Sequence, residues 1–211
     1  MPQSAQPSGD GGYPTPDELR YEERWLKTDA VDLDSADGTF IRAFIEASEL
    51  RYYVGSYDAS YPGYAAALAP ALAAGRTPDV EDLLFSAPAY GVIYRRVISV
   101  DVAEDNTVRV VGCKSTPGIP PTPPPSQRPD GHGLVEAFAL SYRRSGDSPP
   151  AEQHGARKVP YDSVFGDWYA VEYDPLYGDT DPTSREPCYT DALTPSDTVE
   201  LGWPAGPQPR A

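Results

Sequence analysis

Residues 90–114 read YGVIYRRVISVDVAEDNTVRVVGCK, and this stretch decides the fold class. Apolar and polar residues alternate on both sides of AEDN at 103–106. A period of two is typical of β-strands, and a short polar turn between two such runs predicts a β-hairpin. We expect the first strand to divide its side chains between two faces, with Val97, Ser99 and Asp101 on one and Ile98, Val100 and Val102 on the other.

Two more strands are predicted after the hairpin, at 134–145 (LVEAFALSYRRS) and 163–174 (SVFGDWYAVEYD). The residues between the hairpin and the first of these strands are rich in proline, which has no amide hydrogen to donate to a sheet. We therefore interpret residues 115–131 as an exposed polyproline loop. The four strands together predict a curved antiparallel sheet.

The clearest predicted helix precedes the hairpin, at TFIRAFIEASELRYYVG, residues 39–55. Ser35 or Asp37 can cap its start, and Gly55 suits its end because glycine tolerates the left-handed conformation. The spacing of its apolar residues predicts an amphipathic helix. Its apolar face holds Phe40, Ile41, Phe44, Ile45 and Ser48, while Arg42, Glu46 and Glu49 point elsewhere.

Three other segments are predicted to be helical: PDELRYEERWLK at 16–27, YPGYAAALAPALAAG at 61–75 and PDVEDLLFSA at 78–87. In the first of them, proline and acidic residues mark the start of a helix. Helices followed by strands predict an α+β domain in which N-terminal helices pack on one face of the sheet.

Proline and glycine divide the chain into parts. There are 25 prolines and 18 glycines in 211 residues, concentrated at both ends and in the polyproline loop. Such segments bury too little apolar surface to offset the entropy of ordering them. We interpret residues 1–16 as a flexible tether, 17–178 as the α+β domain and 179–211 as a Pro-rich tail.

The chain is strongly acidic, with 32 Asp and Glu against 17 Lys and Arg, a net charge of −15. This charge disfavours binding to nucleic acids and to anionic lipid headgroups. No apolar run approaches the length of a membrane span, so no membrane insertion is expected. The first residues resemble no signal peptide, so export would require a leader that this sequence does not contain.

Two cysteines, Cys113 and Cys188, are too few for a structural zinc site and form no CxxC motif. Cys113 ends a predicted strand, and Cys188 lies in the Pro-rich tail. We expect a disulfide that pins the tail across the sheet and contributes about 4–5 kcal/mol in the chain-entropy model. The alternative is two free thiols in a reducing cytosol. A disulfide favours an exported protein.

No catalytic motif, metal-ligating set or cofactor motif is recognisable, so no catalytic residue, metal or cofactor is predicted. His132 and His154 lie in predicted turns, where histidine is usually solvated. The acidic run at 29–38 does not fit the ligand register of a calcium-binding loop, and acids that favour a helix start explain it better.

Tyrosine is the most unusual feature of the composition, with 15 residues. Its large, rigid contact area and polar tip suit recognition surfaces and the mouths of pockets. The candidate ligand-binding residues are Tyr53, Tyr57, Tyr64, Tyr94 and Trp168. The alternative is that these aromatic residues fill the rim of the core and stack on prolines.

The helix DGTFIRAFIEASELRYY at 37–53 and the strand VRVVGCKS at 108–115 resemble those of exported actinobacterial members of the nuclear-transport-factor-two-like superfamily. This superfamily includes the cone-shaped SnoaL-type proteins, and the resemblance covers residues 17–175. It implies a sheet wrapped around a pocket that serves catalysis in some relatives and binding or assembly in others. No Asp/His or Asp/Arg pair of the enzymatic relatives can be assigned here, and the polyproline loop and tail exceed a minimal cone.

The leading functional hypothesis is a non-enzymatic accessory or binding protein of the cell envelope, such as a tethered lipoprotein ectodomain, with a protein partner. One alternative is a small-molecule enzyme with an apolar cone pocket, in which Asp101 or Glu136 and His132 carry protons. Another is a structural component of a virion or a secretion machine. The sequence does not indicate the oligomeric state.

Overall fold

The protein folds as a mixed β-sheet with helices on both of its faces. The computed structural model describes residues 20–55, 60–77, 90–116, 135–177, 186–190, 198–199 and 201–206. Its elements are β1 (Arg20–Leu26), α1 (Ala36–Val54), α2 (Tyr64–Ala73), β2 (Tyr90–Val102), β3 (Thr107–Ser115), β4 (Val135–Arg143), β5 (Tyr169–Tyr177), α3 (Glu186–Thr190) and β6 (Thr198–Val199). The α+β class predicted from the sequence is confirmed.

The strands lie in the order β5-β4-β3-β2-β1-β6. Strands β2 to β5 are antiparallel neighbours, and β2 and β3 form the predicted hairpin. Strand β1 pairs with β2 in parallel, and β6 adds two residues at the outer edge of β1. The prediction of about four antiparallel strands is therefore corrected to five long strands and a short sixth, in a mixed sheet.

Strand β1 corrects the prediction of a helix at 16–27. In YEERWL, Glu23 and Trp25 turn toward α1: Glu23 is largely buried and Trp25 is fully buried, whereas the preceding Glu22 is exposed. Proline and acidic residues are compatible with the start of a helix, but pairing with β2 and burial of Trp25 make this segment a strand. Tertiary contacts override the local signal here.

Helix α1 has the predicted ends. The Ser35 side chain accepts a hydrogen bond from the Gly38 amide, and Gly55 ends the helix in the left-handed conformation with φ of 67°. The predicted amphipathic pattern is wrong, because every residue from Gly38 to Tyr52 is buried. The three charged residues expected off the apolar face are buried too, with 0% (Arg42), 3% (Glu46) and 5% (Glu49) exposure.

The main core lies between α1 and one face of the sheet. Within β2, the pairing with β3 shifts register between Val97 and Ser99, which is the mark of a β-bulge. Val100 therefore packs against the same core as Val97, while Ile98 packs on the opposite face. The predicted division of β2, with Val97 opposite Val100, is wrong because the bulge adds one residue to the alternation.

Strand β5 begins later than the segment predicted at 163–174. Residues 163–168 form a turn in which Gly166 has φ of 56°, and this turn carries Phe165 and Trp168 into the main core. Regular pairing with β4 then starts at Tyr169.

The predicted disulfide is confirmed on the opposite face of the sheet. It joins Cys113 of β3 to Cys188 of α3, with the two Cα atoms 5.5 Å apart. Both cysteines are buried with Ala137 in a small apolar cluster that also contacts Ile98 and Tyr177. Short helix α3 is thereby attached to the side of the sheet away from α1.

Several predicted segments lie outside the described residues: the tether at 1–16, the helix at 78–87 and most of the loop at 115–131. The predicted helix at 61–75 is confirmed as α2, with Pro70 inside it. None of the helices in the described part of the chain is long and apolar enough to cross a membrane.

Replacing both cysteines, Cys113→Ala with Cys188→Ala, should lower the free energy of unfolding by about 4 kcal/mol, the chain-entropy value for a long closed loop. The change removes a link between residues 75 positions apart. Urea unfolding of the oxidised wild type and the double variant measures the difference. Equal free energies of unfolding would show that the bridge does not stabilise the fold.

Candidate functional site

A cavity of about 390 Å³, here called the β1 pocket, lies beside the outer edge of β1. Residues from β1, α1 and two segments, 155–159 and 201–203, line it. Among the described residues, β6 pairs with β1 only at Trp25 and Leu26. Farther along, Trp203 pairs with Arg157 instead. The C-terminal segment 201–206 thus leaves β1, and the gap between them is the pocket.

Glu46 forms part of the pocket lining and is held by three neutral donors. Its Oε1 accepts a hydrogen bond of 2.7 Å from Trp25 Nε1, and its Oε2 accepts from Tyr61 Oη at 2.8 Å and Trp203 Nε1 at 2.9 Å. These bonds fix the carboxylate in one orientation. They also tie together β1, α1, the segment before α2 and the C-terminal segment at one point.

Arg42, one turn before Glu46 on α1, fastens the C-terminal segment to the helix. Its guanidinium donates to the carbonyl oxygens of Leu201 at 2.7 Å and Gln153 at 3.0 Å, and it lies 4.6 Å from the Trp203 ring centroid. Burial lowers the pKa of Arg42 from its ordinary value. Two carbonyls and an aromatic face offset part of the cost of burying this cation.

Behind the pocket lies a row of alternating charges, here called the charged row: Glu23, Arg95, Glu49, Lys114 and Glu136. Arg95 binds Glu23 through two hydrogen bonds, at 2.8 and 3.0 Å, and Glu49 through one at 3.0 Å. Lys114 Nζ lies 3.5 Å from Glu49 and 2.9 Å from Glu136. The row crosses β1, β2, β3 and β4, with Glu49 inserted from α1.

The charged row sets the protonation of its carboxyl groups. Burial is the largest influence on Glu23 and raises its pKa from 4.5 to about 7, although Arg95 acts in the opposite direction. Burial also acts to raise the pKa of Glu49, but Lys114 and Arg95 together hold it below its ordinary value. Glu23, which has only one cation beside it, is therefore the carboxyl that exchanges a proton near neutral pH.

Aromatic side chains form much of the pocket wall. Tyr61 meets the Trp203 ring edge-on at 5.9 Å, and the Tyr21 ring lies 5.3 Å from that of Tyr53. Burial raises the pKa of Tyr21 and Tyr61 well above the ordinary value, so both hydroxyls stay protonated and neutral. The aromatic part of the wall is therefore uncharged.

Basic side chains lie at the pocket mouth. Lys158 is exposed, and its Nζ reaches to 3.4 Å from the carbonyl oxygen of Tyr21, across the mouth from segment 155–159 to β1. Arg24 forms an exposed ion pair with Glu22 at 3.0 Å. Buried Glu46 and largely buried Glu23 therefore lie inside the cavity, whereas Lys158 and the Glu22–Arg24 ion pair lie at its mouth.

None of the sequence-predicted ligand residues that the structure describes lines the pocket. Tyr64 and Trp168 are buried in the main core, where they pack on Phe44 and Tyr142. Tyr53 and Tyr94 are half-buried, and neither is among the residues that line the pocket. Tyr57 lies outside the described residues.

The proton carriers of the enzyme hypothesis are not brought together either. Asp101 is exposed near the end of β2, and Glu136 belongs to the charged row beside Lys114. His132 lies outside the described residues. Within the described ranges, no group of three or more His, Cys, Asp or Glu residues is placed to hold a metal ion.

Sequence reasoning did not single out the residues that form the site: Tyr21, Glu23, Glu46, Tyr61 and Trp203. One signal was present, since Tyr21, Glu23 and Trp25 alternate with period two. A second was the spacing of Arg42, Glu46 and Glu49, which places three charges along one stripe of a helix.

Comparison with known proteins finds no match to a protein-family model, a curated protein or a solved structure. The resemblance to SnoaL-type proteins stays a prediction. The function must be argued from the pocket itself.

Glu46→Gln should lower the free energy of unfolding by about 3 kcal/mol. In glutamine, an amide nitrogen replaces one of the two carboxylate oxygens that accept hydrogen bonds. At least one of the Trp25, Tyr61 and Trp203 donors would then face another donor. Urea unfolding measures the loss. The matched control is Glu172→Gln, at an exposed position of β5, which should change the free energy by less than about 0.5 kcal/mol. Equal effects of the two variants would contradict the role assigned to Glu46.

The raised pKa of Glu23 predicts a pH dependence of stability. Between pH 4.5 and about 7, the folded protein holds a proton on Glu23 that the unfolded chain releases, so this group makes the free energy of unfolding fall as pH rises. Charged Arg95, Glu46 and Glu49 and neutral Tyr21 surround the group.

Glu23→Gln should remove this contribution and flatten the decline between pH 5 and pH 7.5. Urea unfolding at several pH values in that window compares the slopes of the two proteins. Parallel curves for wild type and variant would show that the Glu23 carboxyl titrates at its ordinary pKa.

Proposed function

We propose that this chain is a non-enzymatic binding protein that holds a small organic molecule in the β1 pocket. The observation that carries the proposal is a cavity of about 390 Å³ lined by fixed carboxylates and aromatic rings. Pockets that bind small molecules are typically of about 300–1,000 Å³, largely apolar, with a few polar groups that orient the ligand.

The rigidity of the lining supports binding. Glu46, Tyr61 and Trp203 are all buried and joined by hydrogen bonds at one point. Arg95 holds Glu23 by two hydrogen bonds. A ligand that enters such a pocket orders few side chains, so little of its contact energy is lost to conformational entropy.

The proposed location is outside the cytoplasm. The disulfide between Cys113 and Cys188 supports it, because such bridges persist in oxidising compartments and are rare in the cytosol. This agrees with the cell-envelope role that the sequence suggests.

A second candidate is an enzyme that transfers a proton through Glu23. It is favoured by one observation, the pKa of about 7 that burial gives this carboxyl beside the pocket. Both Glu23 oxygens, however, already accept hydrogen bonds from Arg95. Simple binding requires no further reactive group and is the better supported function.

Ligand-observed NMR with a library of small molecules of mixed charge tests the proposal. Compounds that bind the wild type should not bind the Ala156→Trp variant, because the substitution places a bulky ring at the exposed rim of the pocket. The control Ala151→Trp adds the same ring at an exposed position that does not line the pocket, and it should bind normally.

Binding that survives Ala156→Trp, or no binding at all, would contradict the proposed function. Recovery of chemically altered compounds after incubation would favour the enzyme instead.

A further inference from the structure

The charged row has one carboxylate more than it has cations. Glu23, Glu49 and Glu136 share Arg95 and Lys114. Above the pKa of Glu23, about 7, the row therefore carries an excess negative charge, which lies toward one of its ends. At the Glu136 end the side chain is 26% exposed and water solvates it, whereas the Glu23 side chain is 12% exposed and faces the pocket.

Glu46 adds a second negative charge at the inner end of the pocket. Its three hydrogen-bond donors are neutral and do not cancel that charge. Within the described part of the chain, no cation forms a direct ion pair with Glu46. Arg42, one turn away on α1, attracts it electrostatically but donates its hydrogen bonds to the carbonyls of Gln153 and Leu201. The inner end of the cavity therefore attracts positive charge.

The aromatic wall suits the same kind of group. The faces of aromatic rings carry negative potential and attract cations, most strongly when water is excluded. Trp203 already has a cation on its ring, since the Arg42 guanidinium lies 4.6 Å from the ring centroid. Tyr21 and Tyr61 offer two further rings that line the pocket and remain neutral.

The carboxylates of Glu23 and Glu46 select against an anionic group inside the pocket. A carboxylate or phosphate can approach Lys158 or Arg157, but farther in it meets Glu23 and Glu46. A neutral molecule would leave Glu46 without a positive partner and Glu23 with only Arg95, which Glu49 shares. An ammonium group supplies the missing charge and also donates hydrogen bonds to the carboxylates.

We propose that the β1 pocket binds an organic amine, with its ammonium group against Glu23 and Glu46 and its carbon skeleton against Tyr21, Tyr61 and Trp203. This inference rests on the proposed function and names the class of ligand. An anionic group elsewhere on the molecule is tolerated at the mouth, beside Lys158.

Isothermal titration calorimetry with matched probes tests the ligand class. The cations are hexylamine and phenethylamine, the neutral analogues are hexanol and phenethyl alcohol, and the anions are hexanoate and phenylacetate. At about pH 8, where Glu23 with its pKa of about 7 is ionised, the amines should bind at least about tenfold more tightly than the alcohols, because a charged hydrogen bond at a buried site exceeds a neutral one. The anions should not bind.

Variants assign the effect to the pocket. Glu23→Gln should weaken amine binding by about tenfold or more, whereas the control Glu172→Gln, which removes an exposed charge from β5, should leave it unchanged. Near-ultraviolet circular dichroism checks that Glu23→Gln is folded. Ala156→Trp provides a second test. It leaves the charged row intact and should abolish amine binding.

The outcomes separate the two proposals. The ligand class would be overturned, and the binding function would stand, if alcohols or carboxylates bind the wild type as tightly as the amines do and fail to bind Ala156→Trp. Failure of every probe, together with failure of the mixed-charge library, would overturn both. Amine binding that Glu23→Gln and Glu172→Gln weaken equally would show attraction by net charge alone and would overturn the site.

Discussion

The carboxylate of Glu49 lies between two cations of neighbouring strands, Arg95 and Lys114, and this contact determines how α1 sits on the sheet. Arg95 and Lys114 are direct partners in the pairing of β2 with β3, where like charges repel. Glu49 removes that repulsion by lying beside both. Rotating or sliding α1 would leave the buried Glu49 carboxylate without a partner, and Arg95 and Lys114 with one acid each, which costs several kcal/mol.

The same stripe of α1 builds the rest of the site. Arg42, Glu46 and Glu49 follow one another at spacings of four and three, so they lie along one side of the helix. Arg42 binds the C-terminal segment, Glu46 joins that segment to β1 and to Tyr61 before α2, and Glu49 docks on the sheet. This stripe holds both β1 and the C-terminal segment. The pocket is the space between them where the two separate. Polar contacts of this kind define a unique arrangement more than they add net stability.

Local signals explain which parts of this structure the sequence predicts. The β2–β3 hairpin, the ends of α1 and the disulfide follow from alternation, from Ser35 and Gly55, and from the presence of only two cysteines. Strand β1 was missed because its pairing partner is far along the chain and its short pattern also fits a helix start. Glu46 was expected to point away from the core because two of its partners, Trp25 and Trp203, lie 21 and 157 residues away. No local pattern reports contacts over such separations.

The pKa of the Glu23 carboxyl, followed by ¹³C NMR of the glutamate side chains and assigned by comparison with Glu23→Gln, tests the central claim most directly. A charged row with one carboxylate in excess, docked by Glu49, predicts that Glu23 titrates at about pH 7 while Glu49 stays ionised throughout that titration. A midpoint for Glu23 at or below 4.5, or a midpoint for Glu49 above that of Glu23, would contradict the account.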